Sequence, residues 1–349
     1  MTTGWGFPDF DDHEGVHLFT DAQTGLRAVI AIHSTKLGPA AGGARFWHYA
    51  NSDEAITDAL RLSRGMSFKN AMAGLPMGGG KSVILADANH TKGDDLLRAF
   101  GRAVDSLGGR YVTAEDVGIS DANMVTISSA TKYVSGLPVA SGAAGGDPGP
   151  FTAMGVYLGV KAAAKRKLGV SDMKGVHVAI QGVGSVGGGL AKLLAKDGAR
   201  LTLADVSAEK AAALAAQLGA ETAAADAILS IEADVVSPNA LGAILTEASI
   251  AALRTTVIAG GANNQLATMA QGAMLHDRGI LYAPDYVINA GGIINVGLEY
   301  LGQGDQAEVE ARIAKIPERL AEVWDESDRT GAPASDVADT IAKRLIGRS

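Results

Sequence analysis

Hydrophobic residues near the start of the chain follow two periods, one typical of strands and one typical of helices. Residues 14–21 and 26–34 favour β-structure, and the short segment 22–25 between them ends in glycine. This arrangement predicts a β-hairpin. Farther along, apolar residues recur at intervals of three and four, as on one face of a helix, at Leu97, Phe100, Val104 and Leu107. The first part of the chain is therefore expected to combine strands with amphipathic helices.

A glycine-rich segment with two lysines, residues 66–83, interrupts this pattern. It has the sequence MSFKNAMAGLPMGGGKSV and leads into an apolar run, residues 82–86, that predicts a strand. Its end is similar to a phosphate-binding P-loop, but Leu75 stands where that motif needs glycine, and a P-loop opens a helix rather than a strand. We instead expect two glycine loops, here and at residues 38–45, that let backbone approach a small ligand.

The second half of the chain alternates between strand and helix patterns. Such a rhythm predicts a parallel sheet covered by helices. Residues 135–150 are rich in Gly, Pro, Ser and Ala and form the best candidate for a domain boundary. After residue 305 the pattern predicts a long amphipathic helix to about residue 330, followed by a last helix whose first turn accommodates Pro333.

Composition narrows the function classes. The chain has 349 residues, which suggests two domains, and it has no cysteine, which excludes disulfides and thiolate chemistry and fits a cytoplasmic location. The formal net charge of −8 and the lack of a dense basic run make nucleic acid an unexpected partner. We find no apolar run long enough to cross a membrane and no signal peptide at the N-terminus.

A dinucleotide-binding motif follows the apolar segment VHVAIQ. The motif consists of Gly182, Val183, Gly184, Ser185, Val186 and Gly187, and a helix pattern follows it. Its glycines allow a tight turn and close approach of a pyrophosphate at the helix N-terminus. Asp205 ends the next apolar run, where a carboxylate accepts hydrogen bonds from ribose hydroxyls and repels a 2′-phosphate. We therefore predict NAD rather than NADP, with Lys210 as the one nearby basic residue that argues the other way.

Three charged residues are candidates for catalysis. Lys69 and Lys81 are the only charges between residues 65 and 82, and a lysine shielded from solvent has a lowered pKa and can act as a base. Asp116 follows a predicted strand and is the third candidate. Two further clusters pair asparagine with glycine after predicted strands, at Asn263 and at Asn289. Asparagine beside glycine is often a turn residue, but the dinucleotide motif upstream favours contacts with cofactor and substrate.

Six ordered segments of the chain resemble the NAD-dependent dehydrogenases of glutamate, leucine, phenylalanine and valine. They are GPAAGGARFW, MSFKNAMAGLPMGGGKSVILAD, GRYVTAEDVG, QGVGSVGG, VIAGGANNQL and ILYAPDYVINAGGIINV. The resemblance is closest to the leucine members and extends from about residue 15 to residue 345. It implies an α/β protein in which an N-terminal α/β substrate domain is joined to a Rossmann-like, doubly wound NAD domain, with a cleft between them. Residues 1–138 and 332–349 would form the first domain and residues 139–331 the second.

The resemblance also implies a reaction and a role for each candidate residue. An L-amino acid, NAD and water would give a 2-oxo acid, ammonia and NADH, without a metal. Lys69 would bind the substrate carboxylate, Lys81 would activate water, and Asp116 would exchange protons with the amino group. The remaining matched positions line the substrate or the nicotinamide: Gly42, Gly43, Thr152, Asn263 and Asn289. Members of this family are homo-oligomers, so self-association is expected as well.

Substrate choice depends on the positions that match the side-chain pocket of this family. These positions are Ala41, Ala114, Ile293 and Val296, and all four are apolar. Burying a glutamate side chain among them would be costly, which argues against glutamate. We therefore expect a branched aliphatic amino acid, namely leucine, valine or isoleucine. The alternatives are an enzyme for phenylalanine or another aromatic amino acid, because Ala41 is small, and more remotely a non-catalytic NAD-binding protein.

Overall fold

The computed structural model describes residues 6–7, 9–87, 92–138, 143–240 and 242–348. The chain divides into two compact units. The first comprises Met1–Asp147, Asn295–Gln306 and Ala342–Ser349, and the second comprises Pro148–Ile294 and Ala307–Ile341. The division after Asp147 lies within residues 135–150, the boundary candidate of the sequence, and residues 139–142 of that segment lie outside the described residues. Most of the last helix belongs to the second unit rather than to the first. The assignment of a substrate role to one unit and a cofactor role to the other remains a prediction.

The first unit is built on a five-stranded mixed sheet. Its strands are β1 (Gly15–Asp21), β2 (Leu26–Ser34), β3 (Ala40–Trp47), β4 (Gly78–Leu85) and β5 (Tyr111–Ala114), in the order β1-β2-β4-β3-β5. The expected hairpin is present as the antiparallel pair β1–β2, and β3 runs parallel to both β4 and β5. The helices that accompany the sheet are α1 (Ser52–Met72), α2 (Asp94–Asp105) and α3 (Asp121–Ser128).

Two hydrophobic cores hold this sheet between its helices. Phe100 of α2 and Ile127 of α3 pack with Tyr111 of β5 in one core. Leu60 of α1 packs with Val83 of β4 in the other. Both faces of the sheet are thus covered, and the residues of β2 and β4 are buried almost throughout.

Both glycine segments differ from the prediction, because they form strands rather than loops. Residues 38–45 lie mostly in β3, and β4 already begins at Gly78, so that Lys81 projects from a strand. Glycine is ordinarily depleted in strands. Here the missing side chains let neighbouring backbones approach, since a Cβ atom on Gly42 would overlap the carbonyl oxygen of Gly80, and one on Gly79 would overlap the backbone of Ser67. The close packing of β3, β4 and α1 depends on these glycines.

The second unit contains the predicted parallel sheet. Its strands are β6 (His177–Gln181), β7 (Arg200–Ala204), β8 (Glu221–Thr222), β9 (Val235–Pro238), β10 (Val257–Ile258) and β11 (Leu281–Tyr282). All pairs are parallel, in the order β8-β7-β6-β9-β10-β11. The helices are α4 (Gly149–Leu168), α5 (Ser185–Lys196), α6 (Ala208–Leu218), α7 (Glu247–Ala252), α8 (Ala270–Asp277) and α9 (Asp285–Ile288). This strand order is that of the doubly wound Rossmann fold, so the predicted fold class is confirmed.

Four helices complete the chain, namely α10 (Gly291–Tyr300), α11 (Gln306–Ile313), α12 (Ile316–Thr330) and α13 (Ala334–Leu345). The prediction of a single long helix after residue 305 is therefore wrong. It is divided in two, and Pro317 lies in the first turn of α12, where a proline fits. The second half of α10 belongs to the first unit, where the Asn295 side chain exchanges hydrogen bonds of 2.8 and 2.9 Å with the backbone of Gly145. Within the described ranges, no helix has the length and apolarity required to span a bilayer.

Candidate active site

The glycines at the middle of the first sheet allow neighbouring backbone and side chains to approach closely. Gly42 and Gly43 of β3 pair with Thr113 and Ala114 of β5. A Cβ atom on Gly43 would lie 2.8 Å from the Cβ atom of Asp116. The two predicted substrate-site glycines therefore lie against the end of β5, where the aspartate emerges.

Lys81 and Asp116 form a buried ion pair next to these glycines. Lys81 projects from β4 with only 6% of its surface exposed, and its Nζ atom lies 2.8 Å from Oδ2 of Asp116. Burial lowers the pKa of Lys81 below its usual value, although Asp116 partly opposes this shift. Burial alone would raise the pKa of Asp116, but Lys81 and a second cation, Arg45, bring it below its usual value. At neutral pH, Asp116 is therefore a carboxylate, and Lys81 loses its proton more readily than a solvated lysine.

Arg45, the last but two residue of β3, joins Asp116 to helix α1. Its Nε atom donates to Oδ2 of Asp116 at 3.1 Å, and its Nη1 atom donates to Oδ2 of Asp58 at 2.8 Å. Neither Arg45 nor Asp58 was predicted from the sequence as a site residue. The available signals were a charged residue directly after a run of small residues, and an acid at position 58 among the apolar residues Ala55, Ala59 and Leu60 of one helix.

Lys69 lies in the last turn of α1 and is half-buried. The residues around it in sequence contact β4, the strand that carries Lys81. The Asn70 side chain donates to the carbonyl oxygen of Gly78 at 2.5 Å, and Ser67 lies against Gly79. The fold thus brings α1 and β4 together at the level of the two lysines.

Glu115, the residue before Asp116, also has a perturbed acidity. Its partial burial and the neighbouring acids Asp121, Asp147 and Asp116 raise its pKa to about 7. The first unit thus places side by side two carboxyl groups whose pKa values are shifted in opposite directions. Asp116 is ionised, whereas Glu115 is close to half-protonated.

The predicted side-chain pocket positions are divided between the two units. Ala41 of β3 and Ala114 of β5 belong to the first unit, together with the buried Val296 of α10. Ile293 belongs to the second unit and is partly buried. Ala41 and Ala114 come from strands that pair directly, so the sheet brings these two positions together.

The dinucleotide motif occupies the turn between β6 and α5, as predicted. Gly182 has a φ of 84°, which favours glycine, and its N–H donates to the carbonyl oxygen of Ala204 at 2.7 Å. A Cβ atom on Gly187 would overlap the carbonyl oxygen of Gly182, whereas Gly184 faces open space. Gly184 and Ser185 are exposed at the start of α5, where backbone N–H groups and the helix dipole favour a phosphate.

Asp205, which follows the neighbouring strand β7, forms a hydrogen bond with this turn. Its carboxylate accepts the backbone N–H groups of Val183 and Ser207, each at 2.9 Å, and these two bonds lower its pKa. Each carboxylate oxygen can accept more than one hydrogen bond, so the group can still bind ribose hydroxyls. The loop, the helix N-terminus and Asp205 fit a dinucleotide.

The two asparagines predicted near the nicotinamide lie together in the second unit. The Asn289 amide donates to Oδ1 of Asn263 at 2.8 Å and to the carbonyl oxygen of Gly261 at 3.1 Å. Oδ1 of Asn289 is buried and has no hydrogen-bond partner among the described residues, so it can accept a bond from a ligand. Thr152 of α4 lies beside Gly292, where a Cβ atom would come within 2.6 Å of its Oγ1 atom. The predicted cofactor residues of this unit thus fall into two groups, one at the dinucleotide turn and one at these asparagines.

Two family models match successive parts of the chain. Residues 13–133 match the family model "Glu/Leu/Phe/Val dehydrogenase, dimerisation domain", and residues 201–345 match the model "Glutamate/Leucine/Phenylalanine/Valine dehydrogenase". The chain belongs to the Glu/Leu/Phe/Val dehydrogenase family. It is an amino-acid dehydrogenase, and the dehydrogenases of this family depend on a nicotinamide cofactor.

Several relatives in this family are similar over nearly the whole chain. Leucine dehydrogenase of Thermoactinomyces intermedius is 46% identical over 96% of this chain and 91% of its own length. Valine dehydrogenase of Streptomyces virginiae is 45% identical over 97% of this chain and 95% of its own length. The crystal structure of L-tryptophan dehydrogenase from Nostoc punctiforme matches with a TM-score of 0.85 and 41% identity over 96% of both chains. The expected resemblance to leucine dehydrogenases is confirmed, and valine and tryptophan enzymes are similar to almost the same degree.

Proposed function

We propose that this member of the family catalyses the reversible, NAD-dependent oxidative deamination of a branched aliphatic L-amino acid to its 2-oxo acid. The substrate would be leucine, valine or isoleucine, and the other products would be ammonia and NADH. The observation that carries the proposal is the buried pair of Lys81 and Asp116, 2.8 Å apart, beside the strand glycines. Two proton acceptors at one point, a carboxylate and a lysine whose pKa is lowered, are what amine oxidation followed by hydrolysis requires.

Each candidate residue in the first unit has a distinct role in this proposal. Lys69 binds the substrate carboxylate, a charge that needs a fixed cation. Asp116 accepts a proton from the substrate ammonium group, which frees the nitrogen lone pair. Lys81, whose pKa is lowered by burial, then takes a proton from the water that attacks the imino carbon. Gly42 and Gly43, which would line the substrate, let the backbone of β4 and the Asp116 side chain lie close to β3.

The second unit would bind the cofactor. When bound, NAD accepts the hydride that leaves the α-carbon of the amino acid. The turn of Gly182, Val183, Gly184, Ser185, Val186 and Gly187 would hold the pyrophosphate. Asp205 would bind the adenosine ribose and disfavour a 2′-phosphate. Thr152, Asn263 and Asn289 would orient the nicotinamide and the substrate, and the unpaired Oδ1 of Asn289 supports this assignment.

The apolar positions support an aliphatic substrate. Ala41, Ala114, Ile293 and Val296 offer no charge to pair with a glutamate side chain. Aromatic amino acids are the second candidate, because Ala41 is small and one relative is a tryptophan dehydrogenase. We also propose that the protein forms a homo-oligomer, since residues 13–133 match a dimerisation domain.

A substrate panel tests the proposal. NADH formation would be followed with leucine, valine, isoleucine, phenylalanine, tryptophan and glutamate, and we expect kcat/KM to be highest for a branched aliphatic substrate. A higher value for phenylalanine or tryptophan would replace the aliphatic assignment with the aromatic one. No turnover with any of them would favour a non-catalytic NAD-binding protein.

A variant of Lys81 tests its role. Lys81→Met should abolish turnover while calorimetry still detects NAD binding, because the side chain lies in the first unit and outside the dinucleotide turn. Lys132→Met is the matched control, since Lys132 is exposed in the same unit and should tolerate the change. Full activity in Lys81→Met would contradict the catalytic assignment.

A further inference from the structure

A chain of charged groups links the buried Asp116 to helix α1 through Arg45. The Arg45 guanidinium bridges the carboxylates of Asp116 and Asp58 with two different nitrogen atoms. Asp58 is held in turn by the Tyr49 hydroxyl group at 2.6 Å and by the Arg61 guanidinium group at 2.9 Å. Asp58 is almost entirely buried, and the side chains of Arg45 and Asp116 keep about a quarter of their surface exposed. A planar guanidinium group in such surroundings has little freedom to rotate.

The two cations at Asp116 contact the same oxygen atom. Lys81 Nζ and Arg45 Nε lie 2.8 and 3.1 Å from Oδ2. Among the described residues, none forms a hydrogen bond or ion pair with the other oxygen, Oδ1. The contacts at Oδ2 therefore set the rotation of the carboxyl group and leave Oδ1 as the atom that can exchange a proton.

We propose that Arg45 is the positioning residue of this active site. It holds Oδ2 of Asp116 against Lys81, turns Oδ1 toward the substrate nitrogen, and is itself fixed by Asp58. The inference rests on the proposed function, in which Asp116 exchanges a proton with the substrate. Arg45 acts through Asp116 and forms no bond with a reacting atom.

Arg45 also affects the acidity of both partners in the pair. Its charge lowers the pKa of Asp116, after Lys81, and it lowers the pKa of Lys81 by repulsion. Among the described residues, other titratable groups near the pair include Asp58 on α1, Glu115 next to Asp116, and Tyr111 on β5. Without the charge of Arg45, the pKa of Lys81 rises, and the neutral amine forms only at higher pH.

Replacement of Arg45 by an uncharged residue tests its effects on the orientation of Asp116 and on the pKa values of Asp116 and Lys81. In Arg45→Gln we expect kcat to fall about 100-fold, because Asp116 is displaced and a displacement of a catalytic group by about 1 Å has an effect of this size. The acidic limb of the pH profile of kcat should move to higher pH by roughly one unit. This is the lower end of the pKa shift that one nearby charge causes. The Kd for NAD should be unchanged, because Arg45 lies in the first unit.

Two conservative variants distinguish charge from position. Arg45→Lys keeps the charge but has one ammonium group, which cannot bond to both carboxylates as the guanidinium fork does. Its pH profile should stay near that of the wild type while kcat remains reduced. Asp58→Asn leaves Arg45 in place but loosens its anchor, so kcat should fall by less than in Arg45→Gln. Arg27→Gln is the control, because it removes an exposed ion pair with Asp87 from the same sheet.

Wild-type kcat and an unshifted pH profile in Arg45→Gln would overturn the inference. Equal pH profiles in Arg45→Gln and Arg45→Lys would also overturn it, because the shift would then not follow the charge. If Arg45→Gln does not fold, Arg45→Lys and Asp58→Asn carry the test, and wild-type kcat in both would overturn the inference.

A crystal structure of Arg45→Gln separates this inference from the proposed function. The inference requires the Asp116 carboxyl group to rotate, so that Oδ2 leaves the position it has beside Lys81. An unmoved carboxyl group would overturn it, whatever the turnover. Absence of NADH formation by the wild type with every amino acid would refute the proposed function instead.

Discussion

The buried His13 makes the stability of the first unit depend on pH in a way that can be calculated. Its ring lies against that of His33, with the ring centres 4.8 Å apart, and only 8% of the residue is exposed. The Nδ1 atom accepts the backbone N–H of Asp11 at 3.1 Å, and the Nε2 atom lies 3.0 Å from the carbonyl oxygen of Leu60. Nε2 therefore carries the single proton, and protonation of Nδ1 would place two donors face to face.

The pKa of His13 is lowered although its bond to the carbonyl oxygen of Leu60 acts in the opposite direction. Burial is the largest cause, followed by repulsion from His33, and together they lower the pKa from 6.5 to about 4. A proton then binds the unfolded chain more tightly than the folded one. The stabilisation is fully present above pH 6.5 and is lost as the pH falls toward 4. Between pH 7 and pH 5 the loss amounts to about 1–2 kcal/mol once solvent screening is allowed for.

The variant His13→Gln isolates this contribution. A glutamine amide can donate to the carbonyl oxygen of Leu60, and its oxygen can accept from Asp11, but it does not titrate. Urea unfolding would be measured for both proteins at pH 7 and pH 5, at one protein concentration so that any association contributes equally. The pH dependence from His33, whose pKa burial also lowers, is present in both proteins.

We expect the wild type to lose about 1–2 kcal/mol more than His13→Gln between the two pH values. An independent check is the titration of the His13 ring by NMR in the folded protein, identified by its absence from the variant. Equal losses in the two proteins, or a His13 titration near pH 6.5, would refute the reasoning.

Two further predictions concern glycines and the cofactor. Gly42→Ala places a Cβ atom against the carbonyl oxygen of Gly80 and should abolish turnover and lower Tm. Gly65→Ala, at an exposed position of α1 with open space around it, should raise stability by about 0.5–1 kcal/mol at unchanged kcat. Similar effects of the two variants on Tm and kcat would contradict the close approach of β3 and β4. Asp205→Ser should raise the KM for NAD about tenfold and reduce the preference for NAD over NADP, because the ribose loses a charged acceptor and the repulsion of a 2′-phosphate disappears. The exposed Asp226→Ser is its control, and an unchanged ratio of the two KM values would argue against the role of Asp205.

The features that were predicted correctly depend on residues close together in sequence. The hairpin β1–β2 follows from two β-favouring segments around a short turn, and the β6–α5 turn follows from its glycines after an apolar strand. The position of Asp205 directly after the next strand, β7, likewise follows from the local pattern, and its role stays a prediction. In these cases the local pattern and the tertiary structure favour the same conformation.

The glycine strands were predicted wrongly because their conformation is set by distant partners. Residues 40–47 become a strand since β4 and β5 pair with them on either side. Nothing in the local sequence of β3 specifies these partners, and glycine by itself disfavours a strand. The bridge between Asp116 and Asp58 was missed for the same reason. Arg45 contacts acids that are 71 and 13 residues away in the chain.

The amino-acid sequence alone determined the fold class, the dinucleotide motif and the candidate residues Lys69, Lys81 and Asp116, because each is marked by residue type and local spacing. Only the tertiary structure decided that Lys81 is buried on a strand and paired with Asp116, and that Arg45 contacts the same carboxylate oxygen. The physical reason is that burial and opposing charges, which shift pKa values and orient side chains, come from residues far apart in sequence. Their proximity exists only after the sheet has formed.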